Sequence, residues 1–438
     1  MLSKFKLHTL KQKLWAVVAA SFLARVIMFF ALPSTPSFLG PDEGTYANLV
    51  KWISESRPAS DFPAYGKGLY LSSRSIILPA SALYKLGLSE LDSIRLVSTI
   101  YGLSTLIMVV FFILKMHEYA RDKYPIHRPN ENLIAGTLCI FAFIPSHFAW
   151  SSLGLRESVT EFWLLASLIT LYFLFHHQRK ITFLKVMLLA GSIAFTFSAR
   201  PQVGWVLGVS LTGYLILNLK NPLAIFLLPV VICGVLLGST LNLGTTATTG
   251  TTATTGTTGS SLGGILNPIL NAGEVVVLKQ EANQLDANSV IKTQSCPRET
   301  LKITTPPSKF DTYFCIAWRA PFMVSTFLFR PIIGLDVTST SSLFAAIENF
   351  LWIGLFVMIF VYAIKRRSIS FLQPLLPAFI FFVLYVLGAS AYQGNMGTGF
   401  RHKSLILWAV LLFIFALAWR KPEVISTKPR NNSQESAV

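Results

Sequence analysis

The stretch that decides the fold is LWAVVAASFLARVIMFFAL, residues 14–32, followed closely by LGPDEGTYANLVKW, residues 39–52. A bilayer core of about 30 Å needs roughly 20 residues of helix, and the first run is long enough to cross it. The run has no small-x-small cleavage site before Pro33, so we expect an uncleaved first helix. Two adjacent acids, Asp42 and Glu43, then follow where a chain that has crossed the bilayer would emerge.

The composition extends this interpretation to the whole chain. Apolar residues make up 53% of the sequence, charged residues only 13%, and the mean hydropathy is +0.56. These values exclude an ordinary soluble chain and predict an all-α polytopic membrane protein. The net charge of +17 comes from short basic clusters between apolar runs, so we assign it to membrane topology and expect no nucleic-acid partner.

Helix length predicts about ten transmembrane helices. They cover residues 14–32, 93–115, 132–150, 156–175, 183–200, 202–219, 222–241, 341–364, 371–391 and 402–420. The segment from Ile76 to Leu88 is too short to span and contains Pro79, so we expect an interfacial helix in the first extracytoplasmic loop.

Short loops rich in Lys and Arg stay in the cytoplasm, which predicts the orientation of the helices. Both termini are then cytoplasmic, and the loop 33–92 is extracytoplasmic. We divide the chain into an N-terminal transmembrane module (1–241), an extracytoplasmic loop (242–340) with a Thr/Gly-rich linker (244–260) and an interfacial segment, C-terminal transmembrane helices (341–420) and a cytoplasmic tail (421–438). Cys296 and Cys315 share the late loop and could form a disulfide there.

The residues behind the two acids predict a second interfacial helix. Tyr46, Leu49, Val50 and Ile53 recur at i, i+3, i+4 and i+7, the apolar stripe of a helix lying on a membrane. Asp42 could be a plain N-cap of this helix and Glu43 could serve its dipole. Alternatively, the two acids are catalytic.

Basic side chains at the outer membrane interface form the second candidate set. They are Arg156, Arg200, Arg319, Arg330 and the run Arg401-His402-Lys403. Each one alone could be a snorkelling anchor. Together they deliver cations from distant helices to one leaflet, which favours a shared anion such as a lipid-linked phosphate or diphosphate.

Two further acids lie at or inside predicted spans. Glu157 could pair with Arg156 or Arg200, or it could join Asp42 around a metal or an acceptor sugar. Glu348 lies within the eighth span, where an acid needs a partner, and we expect a buried pair with one of the Arg residues.

Three quoted segments carry a resemblance to a known family. They are Pro41-Asp42-Glu43-Gly44-Thr45-Tyr46, Leu83 to Leu88 with Ser93 to Ser98, and Phe143 to Glu157. A first helix, a loop that starts with Asp-Glu and an interfacial helix before the second span resemble the GT-C superfamily of membrane glycosyltransferases. Protein O-mannosyltransferases and lipid A aminoarabinose transferases of bacterial polysaccharide-assembly type are the nearest comparison, over roughly residues 10 to 200.

The resemblance implies an enzyme that transfers a sugar from a polyprenyl-phosphate-linked donor to a glycan, lipid or protein acceptor outside the cytoplasm. Asp42 would be the general base, and Glu43 would orient it or bind a metal. The residues implied in substrate or phosphate binding are Tyr46, Arg156, Glu157, Arg200, Arg330, Arg401, His402 and Lys403. No cofactor is certain, and a divalent cation held by Asp42, Glu43 and Glu157 stays open.

Two other functions remain as alternatives. The large late loop also suits an O-antigen-type polysaccharide polymerase or ligase. A flippase or transporter of lipid-linked sugars would use the cations as a substrate path, but such proteins often carry internal repeats and polar residues near the midplane, and neither is evident here.

Overall fold

The computed structural model describes residues 2–36, 42–57, 70, 73–123, 128–176, 182–242, 309–337, 340–366, 375–392 and 396–420. These ranges contain fourteen helices and one two-residue β ladder. The helices are α1 (Leu2–Ala31), α2 (Glu43–Ser54), α3 (Arg74–Lys85), α4 (Glu90–Lys123), α5 (Glu131–Phe143), α6 (Pro145–Ser152), α7 (Glu157–His176), α8 (Phe183–Ala199), α9 (Pro201–Leu217), α10 (Pro222–Asn242), α11 (Lys309–Phe329), α12 (Thr340–Arg366), α13 (Leu376–Tyr392) and α14 (Met396–Leu417). The ladder pairs β1 (Arg128–Pro129) with β2 (Trp419–Arg420) in antiparallel orientation.

The predicted helical membrane architecture is confirmed at a coarse level. Five helices in the described ranges are long and apolar enough to cross a bilayer, or six if α5 and α6 form one bent span. Five shorter apolar helices accompany them, in α8, α9, α10, α11 and α13. The count of about ten spans therefore stays a prediction.

Two of the helix breaks occur at Xaa-Pro steps. The predicted span 132–150 is bent by 48° between α5 and α6, where Ile144 has a ψ of 130° ahead of Pro145. Arg200 is likewise extended, with φ −153° and ψ 100°, ahead of Pro201. The proline ring disfavours helical backbone in the residue before it, so each helix ends there.

The two helices predicted in the first loop form where the sequence places them, and their interfacial location stays a prediction. Helix α2 buries Tyr46, Leu49 and Val50 and packs against α3 and α4. Helix α3 covers most of the segment predicted from Ile76 to Leu88 and keeps Pro79 within it. Both helices contribute apolar side chains to the smaller of two clusters of buried hydrophobic residues.

The late loop is described only in part. Residues 243–308, with the Thr/Gly-rich linker and Cys296, lie outside the described residues. The part that follows is the 21-residue helix α11, in which Cys315 is disulfide-bonded. The prediction of a pair between Cys296 and Cys315 therefore rests on a residue that is not described.

Candidate functional site

The centre of the site is the guanidinium of Arg401, which lies between two carboxylates. Its Nη1 donates to Asp42 Oδ2 at 3.0 Å, and its Nη2 lies 2.9 Å from Glu157 Oε1. The same oxygen of Glu157 accepts from Arg200 Nη2 at 2.6 Å. Four residues predicted from separate parts of the chain thus form one ion-pair cluster, with the two carboxylates neutralised by two guanidinium groups.

The carboxylates of this cluster differ in their access to solvent. The Asp42 side chain is 28% exposed, whereas that of Glu157 is only 2% exposed. The Asp42 side chain makes no capping hydrogen bond to α2, so the plain N-cap interpretation does not describe it. Asp42 is therefore the acid of this cluster that stays accessible to solvent.

Aromatic side chains surround Arg401. The Trp150 ring lies 5.8 Å from the Arg401 guanidinium, a cation–π distance, and Phe400 contacts the ring edge-on. Tyr46 follows Asp42 by one turn of α2 and is fully buried. Burial raises the pKa of the Tyr46 hydroxyl, and the nearby Arg156 opposes that shift only in part, so the hydroxyl remains a neutral donor.

Several buried polar atoms at this cluster make no hydrogen bond in the described part of the chain. They are Tyr46 Oη, Trp150 Nε1, Glu157 Oε2 and Arg200 Nε. A buried polar group without a partner is unusual in a native protein, because its desolvation is then uncompensated. Their presence around one cluster is typical of a site that completes its hydrogen bonds with a ligand.

Glu43 lies apart from this cluster, although it is adjacent to Asp42 in sequence. It is fully buried and accepts from Arg95 Nε at 2.7 Å, from Arg95 Nη2 at 3.1 Å and from the Gly154 N–H at 3.1 Å. Arg95 also donates to the carbonyls of Pro33 and Thr35. Glu43 therefore anchors the start of α2 to α4, to the end of α1 and to the turn before α7, and its oxygens are occupied by protein donors.

Glycine is required at position 154 in this anchor. A Cβ built there would lie 2.3 Å from Ile94 Cγ2, too close for any other residue without a shift. The close approach brings the Gly154 N–H to Glu43 and fixes the turn that leads into Arg156 and Glu157. Arg156 itself reaches Ser73 Oγ with Nη1 at 3.5 Å, the outer limit of a hydrogen bond.

Arg330 and Lys403 were predicted as phosphate ligands, but both are engaged elsewhere. The Arg330 guanidinium pairs with Asp336, and Lys403 Nζ donates to the carbonyl of Leu328 at 3.0 Å and to the side chain of Asn349. Burial would raise the pKa of Asp336, but the hydrogen bonds from Arg330 and the Ile332 N–H outweigh it and lower that pKa. These contacts join α11, α12 and α14. His402, which precedes Lys403 in sequence, is also buried.

Glu348 is also bound differently from the prediction. It accepts from the N–H of Ser146 at 2.6 Å, from the Ser146 hydroxyl at 2.7 Å and from Trp352 Nε1 at 3.0 Å. The prediction of a pair with an Arg is therefore wrong. Glu348 instead satisfies the first turn of α6, where a carboxylate complements the helix dipole.

The structure offers no metal centre in the ranges it describes: no group of three or more His, Cys, Asp and Glu side chains is placed to hold an ion. Glu43 faces Arg95, and a guanidinium stands between Asp42 and Glu157. The three acids named for a divalent cation thus do not face one another.

Sequence reasoning overlooked three residues at or near the site. Arg95 could have been recognised from the sequence, since an Arg inside a predicted span needs a partner. Trp150 and Arg74 carry no such signal, because an aromatic residue in an apolar segment and an Arg in a polar loop are both ordinary.

The apolar helices and the buried ion pairs define the class of protein: an all-helical chain whose several apolar helices could span a membrane, consistent with an integral membrane protein. No protein-family model matches the chain, and a search of curated proteins found no match.

Proposed function

We propose that the protein is an integral membrane glycosyltransferase that transfers a sugar from a polyprenyl-phosphate-linked donor to an extracytoplasmic glycan, lipid or protein acceptor. The observation that carries the proposal is the meeting of the partly exposed Asp42 with Arg401, Glu157 and Arg200. A carboxylate that acceptors can reach, set among cations and unpaired buried donors, suits base-assisted attack with an anionic leaving group.

The proposed reaction assigns Asp42 as the general base. Its carboxylate takes the proton of the acceptor hydroxyl while that oxygen forms a bond to the anomeric carbon of the donor sugar. The bond between the anomeric carbon and the phosphate oxygen breaks, and its electron pair leaves with the lipid phosphate. Positioned cations stabilise the charge that develops there.

The proposed topology has about ten spans, with both termini cytoplasmic and the site outside. It counts the five long helices, the bent pair α5–α6 and the shorter helices α8, α9, α10 and α13, and it keeps α11 in the extracytoplasmic region. Support comes from the ion pairs themselves: Asp42, Glu157, Arg200 and Arg401 fall on one side in the predicted topology, and their side chains are in contact.

A strain that lacks the protein is expected to lose one class of surface glycan or glycosylated molecule and to accumulate the unused lipid-linked sugar. Mass spectrometry of surface glycans and of extracted lipid-linked sugars measures both changes. Complementation with the wild-type chain should reverse them. Unchanged glycans together with an unchanged pool of lipid-linked sugars would rule out the proposed reaction.

Replacing Arg401 with alanine is expected to weaken use of the lipid-linked donor. The change leaves Asp42 without Arg401 and Glu157 with Arg200 alone, so the site gains net negative charge that repels the donor phosphate. A full charge near the phosphate contributes roughly 1–2 kcal/mol at an effective dielectric constant of about 20, so we expect the KM for the donor to rise roughly tenfold. Transfer rates in membranes titrated with donor measure the effect.

The matched control for this variant is Arg57→Ala, because Arg57 pairs with Glu55 on the surface of the loop that carries Asp42. Thermal unfolding of both purified variants separates donor binding from loss of folded protein. If donor dependence in Arg401→Ala matches the wild type, Arg401 is an interfacial anchor rather than part of the site.

A further inference from the structure

The N-terminus of α3 presents backbone N–H groups in its first turn. Among the residues that the structure describes, the first N–H groups of α3 that bond back are those of Ile76 and Ile77, which both donate to Ser73 O at 3.0 Å. The N–H groups of Arg74 and Ser75 precede them, and Ser73 makes no side-chain cap. Such a helix end carries partial positive charge and free donors, which suit an anion.

Two side chains at this helix end carry buried hydrogen-bond donor atoms. In the described ranges, the Ser75 hydroxyl and Arg74 Nε make no hydrogen bond although both atoms are buried. The Arg74 guanidinium lies over the Tyr70 ring, with 5.3 Å from Cζ to the ring centroid. The residue that joins this end to the ion-pair cluster is Arg156, whose Nη1 approaches Ser73 Oγ.

The Tyr46 hydroxyl is an independent observation that supports an anion site at the N-terminus of α3. Tyr46 is fully buried, its hydroxyl has no hydrogen-bond partner in the described part of the chain, and α2 packs directly on α3. The strongest charge acting on that hydroxyl is Arg156. A buried phenol that is influenced by Arg156, on a helix packed against α3, is an unused donor available to an anion beside Arg156.

The charges distinguish this position from the Arg401 cluster. Arg401 and Arg200 are already paired with Asp42 and Glu157, and Arg95 is paired with Glu43. Among the residues that the structure describes, Arg74 forms no ion pair with a carboxylate. An anion that binds at α3 therefore displaces from Arg74 no carboxylate that the structure describes.

We propose that the N-terminus of α3, with Arg74, Arg156 and the Tyr46 hydroxyl, binds a phosphate group. If the proposed function holds, on which this identification of the ligand rests, the group is the phosphate of the lipid-linked donor. Tyr46 follows Asp42 by one helical turn, so the phosphate ligand and the base come from the same helix end. Arg401 then holds the two carboxylates in place rather than the phosphate.

The test is binding of farnesyl phosphate to the full-length protein in nanodiscs, without any sugar or turnover. Removing one charge-assisted donor weakens binding by about tenfold to a hundredfold, and this is the loss expected for Arg74→Ala. Lys85→Ala, at the other end of α3, should bind as the wild type. Farnesol and inorganic phosphate are the two further probes: competition by inorganic phosphate with weak binding of farnesol assigns the site to the phosphate.

Tyr46→Phe provides a second variant whose fold is not in doubt. It removes only a buried, unpaired hydroxyl, so the ligand-free protein should unfold at the same or a higher temperature while farnesyl phosphate binds more weakly. A structural role for this hydroxyl would lower the unfolding temperature instead.

The inference is overturned if the wild type does not bind farnesyl phosphate, if Arg74→Ala binds it normally, or if Lys85→Ala loses binding equally. None of these outcomes touches the proposed function, because the surface-glycan comparison tests that separately. Conversely, intact phosphate binding with unchanged surface glycans would keep the site and remove the glycosyltransferase.

Discussion

Asp42→Asn is expected to abolish sugar transfer. The amide keeps the size of the side chain and can still accept a hydrogen bond from Arg401, but it cannot take a proton from an acceptor hydroxyl. A positioned general base contributes about 10²- to 10⁴-fold to the rate, so transfer should fall by at least that lower factor. The rate is measured as sugar incorporated per folded protein in membranes that contain the natural donor and acceptor.

Glu55→Gln is the matched control for Asp42→Asn, because Glu55 is a partly exposed carboxylate just after the other end of α2 and pairs, among the described residues, with Arg57. It should keep wild-type transfer. Retention of more than about a tenth of the activity in Asp42→Asn is incompatible with the usual contribution of a general base and would remove Asp42 from that role.

Arg95→Met is expected to have the largest effect on stability. Methionine fills much of the same space but leaves Glu43 as an uncompensated charge in a fully buried position. Breaking a buried ion pair by removing one partner costs about 3–5 kcal/mol. The carbonyls of Pro33 and Thr35 also lose their donors. The unfolding temperature of the purified protein in detergent should drop accordingly.

Two companion variants identify the cause of that loss. Arg57→Met removes the same charge from a surface pair, where about 0–1 kcal/mol is at stake. Combining Arg95→Met with Glu43→Gln removes both buried charges, so part of the stability should return. Equal losses in Arg57→Met and Arg95→Met, or no recovery in the double variant, would show that the buried pair does not anchor the loop.

The sequence predicted which charges gather at one end of the helices better than the direction of each side chain. Four of the charges assigned to one face do meet, namely Asp42, Glu157, Arg200 and Arg401. Lys403 follows Arg401 by two residues, about 200° around a helix, so it turns away from the site. Topology is set by apolar length and basic loops, whereas direction depends on how helices pack, and no single sequence reveals that packing.

Two residues that are adjacent in sequence can also direct their side chains to different parts of the structure. Asp42 precedes α2 and faces Arg401, while Glu43 begins the helix and turns inward to Arg95. Periodicity predicted the apolar stripe of α2 but could not tell which acid faced the site. The exact number of spans was likewise beyond sequence patterns, because several apolar helices are shorter than the bilayer is thick.

The ion pair between Asp42 and Arg401 also affects biosynthesis. The two residues are 359 positions apart, and Arg401 lies in the last helix that the structure describes. A ribosome adds about 5–20 residues per second, so Asp42 emerges tens of seconds before its partner is made. Once Arg200 has been made, Glu157 can pair with it, but Glu157 still lacks Arg401. The cluster is therefore completed only after Arg401 has been made, so a chain that stops before Arg401 cannot assemble it.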